Sequence, residues 1–346
     1  MVLASATCAL SLAGCVDQAA GGGGGTRAQI AVVGSSTVYP FTTIVAEQFV
    51  AANPQARPPV IESTGTGAGM KLFCGGIGAG WPDIEDASRR MRRSEYAICA
   101  RNGVDRIVEM QVGIDGIAFA ESRNGPGLSL TPRDLYRALA MTPGGQPNRA
   151  RMWADVNPAL PAIPIQVYGP PATSGTRDAL AELILARGCV ADDPAMARLV
   201  VTDRPAFEAR CLRVRDDGAY VDAGENDNLI VQKLRSNPNA IGIFGYAYLE
   251  ENARLLRGVP VGGVAPTYDS IASGAYPGAR PLYLYVKKAH LDAIPGLRDF
   301  IRLYAMLWGP TGPLVKRGLI ASSPAVRAQA MHTVEKETAL DPAVLR

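Results

Sequence analysis

The chain has 346 residues, of which 47% are hydrophobic and 19% charged: enough apolar material for a packed core, and too ordinary a balance for wholesale disorder. At roughly 150 residues per domain, the length suggests two domains. The 35 Lys and Arg against 32 Asp and Glu leave +3, too little for a chain devoted to nucleic acid, and only two histidines, His290 and His332, argue against His-rich metal sites and Ser-His-Asp chemistry.

Residues 1–14 carry no charged side chain, and their apolar run is too short to span a bilayer, which takes about 20 residues. They read as a signal peptide. Leu12-Ala13-Gly14-Cys15 resembles a bacterial lipobox, with cleavage before a lipidated Cys15, and residues 15–27, including Gly21 to Gly25, then form a flexible tether. The alternative is a plain cleaved signal. Setting aside Cys8 and Cys15 leaves Cys74, Cys99, Cys189 and Cys211, with no C-x-x-C among them. An even count in an exported chain points to disulfides over buried thiols. Of three possible connectivities the sequential one, Cys74–Cys99 and Cys189–Cys211, is expected.

From Gln29 short apolar runs alternate with amphipathic stretches, the pattern of an α/β fold. Gln29–Val33 reads as a strand ending at Gly34, followed by Ser35-Ser36-Thr37 and a helix with Pro40 in its first turn. Phe41, Ile44, Val45 and Phe49 give that helix one apolar face. Pro59–Glu62 is a second strand, and Thr64–Gly69 a turn opening another helix. Further strands are expected at Val112–Ala120, Ile165–Tyr168, Ala240–Tyr246 and Pro281–Val286, with helices at Thr131–Leu139, Arg177–Ala186, Asn228–Ser236 and Leu297–Leu307. With no low-complexity linker in mid-chain, two domains would be joined by crossing strands, near Gly113–Phe119 and Ile241–Tyr246.

One pattern occurs three times: a small hydroxyl/glycine turn at the start of a helix. The turns are Gly34-Ser35-Ser36-Thr37, Thr64-Gly65-Thr66-Gly67-Ala68-Gly69 and Thr173-Ser174-Gly175-Thr176. A helix start presents unpaired N–H groups and a partial positive charge, glycine lets backbone approach an anion, and hydroxyls add donors. Three such ends converging on one point would replace the hydration shell of a small oxyanion, and Arg177 could add a bidentate charge. Taken singly, each turn is equally an ordinary N-cap. Gly65–Lys71 fits neither the P-loop nor the dinucleotide-binding spacing, and no G-x-S-x-G, S-x-x-K or H-E-x-x-H occurs.

Gly34–Phe41 (GSSTVYPF), Thr64–Phe73 (TGTGAGMKLF), Asp86–Arg89 (DASR), Ser174–Asp178 (SGTRD), Gly224–Gln232 (GENDNLIVQ) and the stretch around Arg280-Pro281-Leu282-Tyr283 resemble, in order, the phosphate-binding proteins of bacterial Pst-type ABC importers. The resemblance implies a type II periplasmic-binding-protein fold: two α/β lobes joined by a two-strand hinge, with ligand in the cleft between them. Lobe I would comprise residues 28–115 and 247–346, and lobe II residues 116–246.

Carried over by motif, the phosphate ligands would be Ser36, Thr37 and the Val38 amide, then Thr66 and Gly67, then Ser88 and Arg89, and then Ser174, Gly175 and Thr176. Arg89 stands where some members of the family place an aspartate that accepts the proton of hydrogen phosphate. Pro170 stands where some place an arginine, a role Arg177 could take. Discrimination against sulfate would then need another acceptor, with Asp178, Asp115 and Asp227 as candidates. Asn226 and Asp227 read first as a helix cap, and the family places that region at the cleft or hinge. The implied function is high-affinity binding of inorganic phosphate in the periplasm and delivery to an inner-membrane ABC permease, by a monomer with no cofactor, no metal and no nucleic-acid partner. The alternatives are a secreted phosphatase or phosphoesterase, which would need an activated nucleophile or metal, and a receptor for another oxyanion.

Overall fold

The computed structural model describes residues 27–172, 174–224 and 227–345; Cys8, Cys15, the glycine tether, Thr173, Glu225 and Asn226 lie outside the described residues. Among the described residues nine strands form one curled mixed sheet: β1 (Ala31–Gly34), β2 (Val60–Ser63), β3 (Ile84–Ala87), β4 (Ile107–Ser122), β5 (Val167–Gly169), β6 (Tyr220–Asp222), β7 (Ile241–Gly245), β8 (Leu256–Gly258) and β9 (Ala279–Lys287). Their order is β2-β1-β3-β9-β4-β7-β5-β6, with β8 also on β4. At one end β1 runs parallel to β2 and β3; at the other β5 runs parallel to β6 and β7. Between them β9 lies antiparallel to both β3 and β4, and β4 antiparallel to β7.

The 16-residue strand β4 joins the two halves. Its first part, Ile107–Gly116, pairs with β9, and its second, Ile117–Glu121, pairs with β7. The register shifts between Gln111 and Gly113, where a bulge re-aims the strand. Gly113 has φ +144°, and a Cβ there would fall 2.6 Å from Leu319, so the bend needs glycine.

The apolar residues gather on the two sides of that bend. On one side α1 (Tyr39–Ala52) buries Phe41, Val45 and Phe49 against Phe300 and Tyr304 of the helix Leu297–Leu307. Phe49 meets Phe300 edge to face at 5.6 Å between ring centres. Beside it α2 (Thr66–Phe73) packs Met70 and Phe73 onto Tyr285. On the other side Phe119, Leu135, Trp153, Val167, Ile184, Leu234 and Phe244 form a second core. That core also takes in Leu249, Leu256, Val259, Ile271 and Tyr276. The return crossing expected at Ile241–Tyr246 is therefore not there: Ile241, Ile243, Phe244 and Tyr246 are all inside the second core, and the chain comes back only as it enters β9.

Both expected disulfides form. Cys74–Cys99 ties the end of α2 to α3 (Arg93–Arg101), and Cys189–Cys211 ties the helix Ala186–Asp192 to Arg204–Cys211. The expected helix Arg177–Ala186 is a longer helical run, starting at Gly175 and passing through a π-helical stretch, Leu180–Leu185, into Ala186–Asp192. Among the described residues no helix is long and apolar enough to cross a membrane.

Candidate functional site

The first turn is shaped by its neighbours in the sheet. Gly34 has φ +136°, and a Cβ on it would lie 2.1 Å from the carbonyl oxygen of Asp86, so β1 can end against β3 only through glycine. Ser35 then donates its N–H to that same Asp86 carbonyl (2.8 Å). Its side-chain oxygen accepts from the Thr37 amide (3.1 Å), and its carbonyl accepts from Val38 (3.2 Å) and Tyr39 (3.0 Å). The buried Ser35 thus does the capping work, and the side chains of Ser36 and Thr37 are left for other partners.

The second turn is pinned to the first. The amides of Thr64 and Gly65 both donate to the Gly34 carbonyl, at 2.9 and 2.7 Å, so α1 and α2 begin side by side. Thr66 Oγ1 accepts from the Ser88 amide (3.0 Å) and shares a proton with Ser88 Oγ (3.1 Å). This pairs the two segments singled out in sequence, but on the same half of the molecule. Gly67 stands open at the surface of α2.

The third turn comes from the other half and closes against the first. Ser174 caps its helix, accepting from the Thr176 amide at 3.2 Å. A Cβ on Gly175 would sit 2.9 Å from Thr37 Cα and 3.1 Å from its amide nitrogen, so this approach again requires glycine. Ser36 Oγ donates to Asp178 Oδ2 at 2.6 Å, and Thr37 Oγ1 lies 3.5 Å from the Gly175 carbonyl. Along this seam opens a cavity of about 450 Å³, walled by Ser36, Thr37, Tyr39, Asp115, Ser174, Gly175, Thr176, Asp227, Tyr248 and Arg317. The first and third turns therefore meet at one cavity; Thr66, Gly67, Ser88 and Arg89 are not on its wall.

Residues 19–305 of the chain match the family model of the PBP superfamily domain. The chain belongs to that superfamily. Protein SphX of Synechocystis sp. is 31% identical over 285 residues, covering 81% of this chain and 74% of SphX. The phosphate-binding protein PstS of Staphylococcus saprophyticus is 25% identical over 294 residues, covering 82% and 79%. Among solved structures, a possible phosphate binding protein from Planctomyces limnophilus superposes with a TM-score of 0.71 at 28% identity, over 90% of this chain and 99% of that one.

The charges of this superfamily member are placed differently from the sequence expectation. Arg89 makes two parallel hydrogen bonds to Glu95, at 2.9 and 2.7 Å, which hold the Glu95 carboxyl below its ordinary range in spite of burial. Arg177 lies over the Tyr220 ring, 4.1 Å from its centre, and its guanidinium reaches the Pro170 carbonyl at 3.4 Å. Both expected arginines are thus engaged away from the cavity. The cations at the seam are instead Arg317, on the wall, and Arg280, at the start of β9.

Arg280 is buried and uses its whole fork: Nε to Asp115 (3.3 Å), Nη1 to Glu182 (2.5 Å) and Nη2 to Thr37 Oγ1 (2.9 Å). Burial pushes the Asp115 carboxyl up, and Arg280 offsets part of that. Asp178 is taken by Ser36, and Asp227 opens the helix Asp227–Ser236 at the cavity wall. Arg280 stood in a family-like stretch of the sequence, but its partners are 98 to 243 residues away, and only the folded chain brings them to it.

Among the described residues no group of three or more His, Cys, Asp and Glu side chains is placed to hold a metal. His290 is buried, with Nδ1 2.6 Å from Asp83 and Nε2 accepting from the Gly78 amide at 3.0 Å. It is a core ligand of the backbone.

Proposed function

We propose that the chain is a phosphate-binding protein that captures inorganic phosphate outside the cytoplasm and delivers it to an ABC-type import permease. The observation that carries this reading is the meeting of the first and third hydroxyl/glycine turns, from opposite halves of the sheet, at one cavity. The SphX and PstS relatives support it.

The anion is held by Ser36, Thr37, Ser174, Gly175 and Thr176, through hydroxyls and helix-start amides. The Val38 amide, Thr66, Gly67, Ser88 and Arg89 are the further ligands that the family motif implies, carried by the same half as the first turn. Ser36, having given its proton to Asp178, presents a lone pair to the cavity. The Ser36–Asp178 pair therefore accepts the proton of hydrogen phosphate and meets a fully deprotonated sulfate with repulsion.

Lobe I is residues 28–115 together with the chain from β9 onward, and lobe II runs from residue 116 past 246 to the entry of β9, where Leu249, Leu256, Ile271 and Tyr276 still pack in the second core. Hinge motion about β4 and the entry to β9 closes them, and the permease recognises the closed form: population shift, not catalysis. The protein acts as a monomer, tethered to the membrane through a lipidated Cys15.

Calorimetric titration with phosphate, sulfate and molybdate tests this. Phosphate is expected to bind at micromolar concentration or tighter, with sulfate much weaker. Absence of phosphate binding in that range overturns the reading.

A further inference from the structure

Two hydroxyls of the first turn face the seam, and their hydrogen bonds commit them to opposite roles. A threonine or serine hydroxyl has one proton to give and lone pairs to receive with; an arginine can only give. Ser36 gives its proton to Asp178 at 2.6 Å. Thr37 Oγ1 receives from Arg280 Nη2 at 2.9 Å, so its own proton must go elsewhere. The acceptor it finds is the Gly175 carbonyl, at 3.5 Å, well beyond the usual 2.7–2.8 Å of an O–H···O bond. This proton points across the seam into the site and is only loosely held.

We propose that Arg280 is a positioning residue of the anion site: by donating to Thr37 Oγ1 it turns the Thr37 proton toward the bound anion, which replaces Gly175 as acceptor. The inference rests on the phosphate reading above. Arg280 can do this because its plane is fixed from both sides of the seam. Nε is held by Asp115 on β4, and Nη1 by Glu182, which follows Asp178 by four residues in the helical run beyond the third turn. Glu182 thus ties the orientation of a hydroxyl on one lobe to the approach of the other. With two carboxylates around it, the Arg280 charge is already balanced, so its contribution to the anion passes through the Thr37 hydroxyl, not through direct charge.

The test is a double-mutant cycle on the mature chain, read by calorimetric titration with inorganic phosphate. Arg280→Lys keeps the charge but loses the fixed fork; Thr37→Val keeps the shape and loses the hydroxyl; Thr37→Ser keeps the hydroxyl. Arg280→Lys and Thr37→Val are each expected to weaken binding on the order of ten- to a hundredfold, as for loss of a hydrogen bond to a charged group. Thr37→Ser stays within about threefold of the parent by the same argument, and Arg280→Lys costs no more than about threefold once Thr37 is Val. Equal losses from Arg280→Lys in both backgrounds would overturn the assignment, since the arginine would then act without the hydroxyl. If Arg280→Lys fails to melt cooperatively, Glu182→Gln, at a side chain 45% exposed, loosens the same fork. Its effect on affinity must likewise vanish in the Thr37→Val background, and persistence there overturns the proposal. A parent chain that binds no phosphate brings down the phosphate reading itself, and this inference with it.

Discussion

Ser36 Oγ donates to Asp178 Oδ2 at 2.6 Å, joining residues 142 apart in sequence across the seam between the two halves of the fold. The bond fixes Ser36 as an acceptor toward the cavity. Asp178→Asn removes the charge that claims the Ser36 proton and frees that hydroxyl to donate. The variant is expected to lose part of its preference for phosphate over sulfate, by on the order of tenfold, the scale of one charge-assisted hydrogen bond. Parallel titrations with the two anions measure the ratio; an unchanged ratio removes Asp178 from the selectivity argument.

Gly175 tests the closeness of the seam. Its Cβ in an alanine variant would lie 2.9 Å from Thr37 Cα, and that contact is backbone, which cannot swing aside as a side chain would. Gly175→Ala should hold the first and third turns apart and weaken phosphate binding by tenfold or more, on the order of the 1–3 kcal/mol of a small overpacking strain. Because the clash lies between the halves and not inside either core, the melting temperature of the ligand-free chain is expected to change little. A large fall in melting temperature with unchanged affinity would contradict this geometry.

The sequence shows the first turn well, because Gly34, the serines and Pro40 act locally and their neighbours in space are their neighbours in the chain. β3 was not visible in the same way. It reads Ile-Glu-Asp-Ala, and two adjacent acidic residues do not look like a buried strand, yet Glu85 is 0% and Asp86 1% exposed. β4 was expected only from Val112, since the bulge at Gln111 and Gly113 breaks the alternation that marks a strand. The disulfide pairing followed from order along the chain. The assignment of charge did not. Arg89 and Arg177 were placed by motif, but Glu95 and the Tyr220 ring hold them elsewhere, while Arg280 reaches the site through contacts that carry no local signature.

The Cys189–Cys211 bridge closes a loop with a sequence separation of 22 between helices of the second half. Loop-closure entropy for such a span is worth about 3 kcal/mol. Cys189→Ser/Cys211→Ser should lower the melting temperature by several degrees, measurable by calorimetry on the ligand-free chain. Since neither cysteine touches the cavity wall, phosphate affinity at 25 °C is expected to stay within about twofold, as for mutations at distant, independent sites. A loss of binding with intact fold would mean that the helix Arg204–Cys211 takes part in closure.

The buried acids of β3 make stability depend on pH in a direction opposite to ordinary salt-bridged carboxylates. Asp86 lies beneath the first turn, its Oδ2 accepting from Thr42 Oγ1 at 2.8 Å. Burial pushes its carboxyl up from 3.8 to about 7, only partly offset by that hydrogen bond. Glu85 is also pushed up, by burial and by Asp86, and neither of its carboxylate oxygens has a hydrogen-bond partner among the described residues. A group that holds its proton more tightly when folded stabilises the fold below its unfolded value, and that stabilisation is lost as pH rises through the folded one. For Asp86 the loss runs from about pH 4 to about pH 7, with a limiting slope of roughly 1.4 kcal/mol per pH unit. Asp86→Asn cannot ionise, so the difference in unfolding free energy between the variant and the parent should move in the variant's favour across that window and level off above it. Denaturant unfolding of both chains at pH 4, 5, 6, 7 and 8 gives that difference directly. Taking the difference cancels the titration of groups that do not feel the Asp86 charge, which leaves Asp86 and its neighbour Glu85, so a flat line would mean that Asp86 is ionised at its ordinary pH inside the fold.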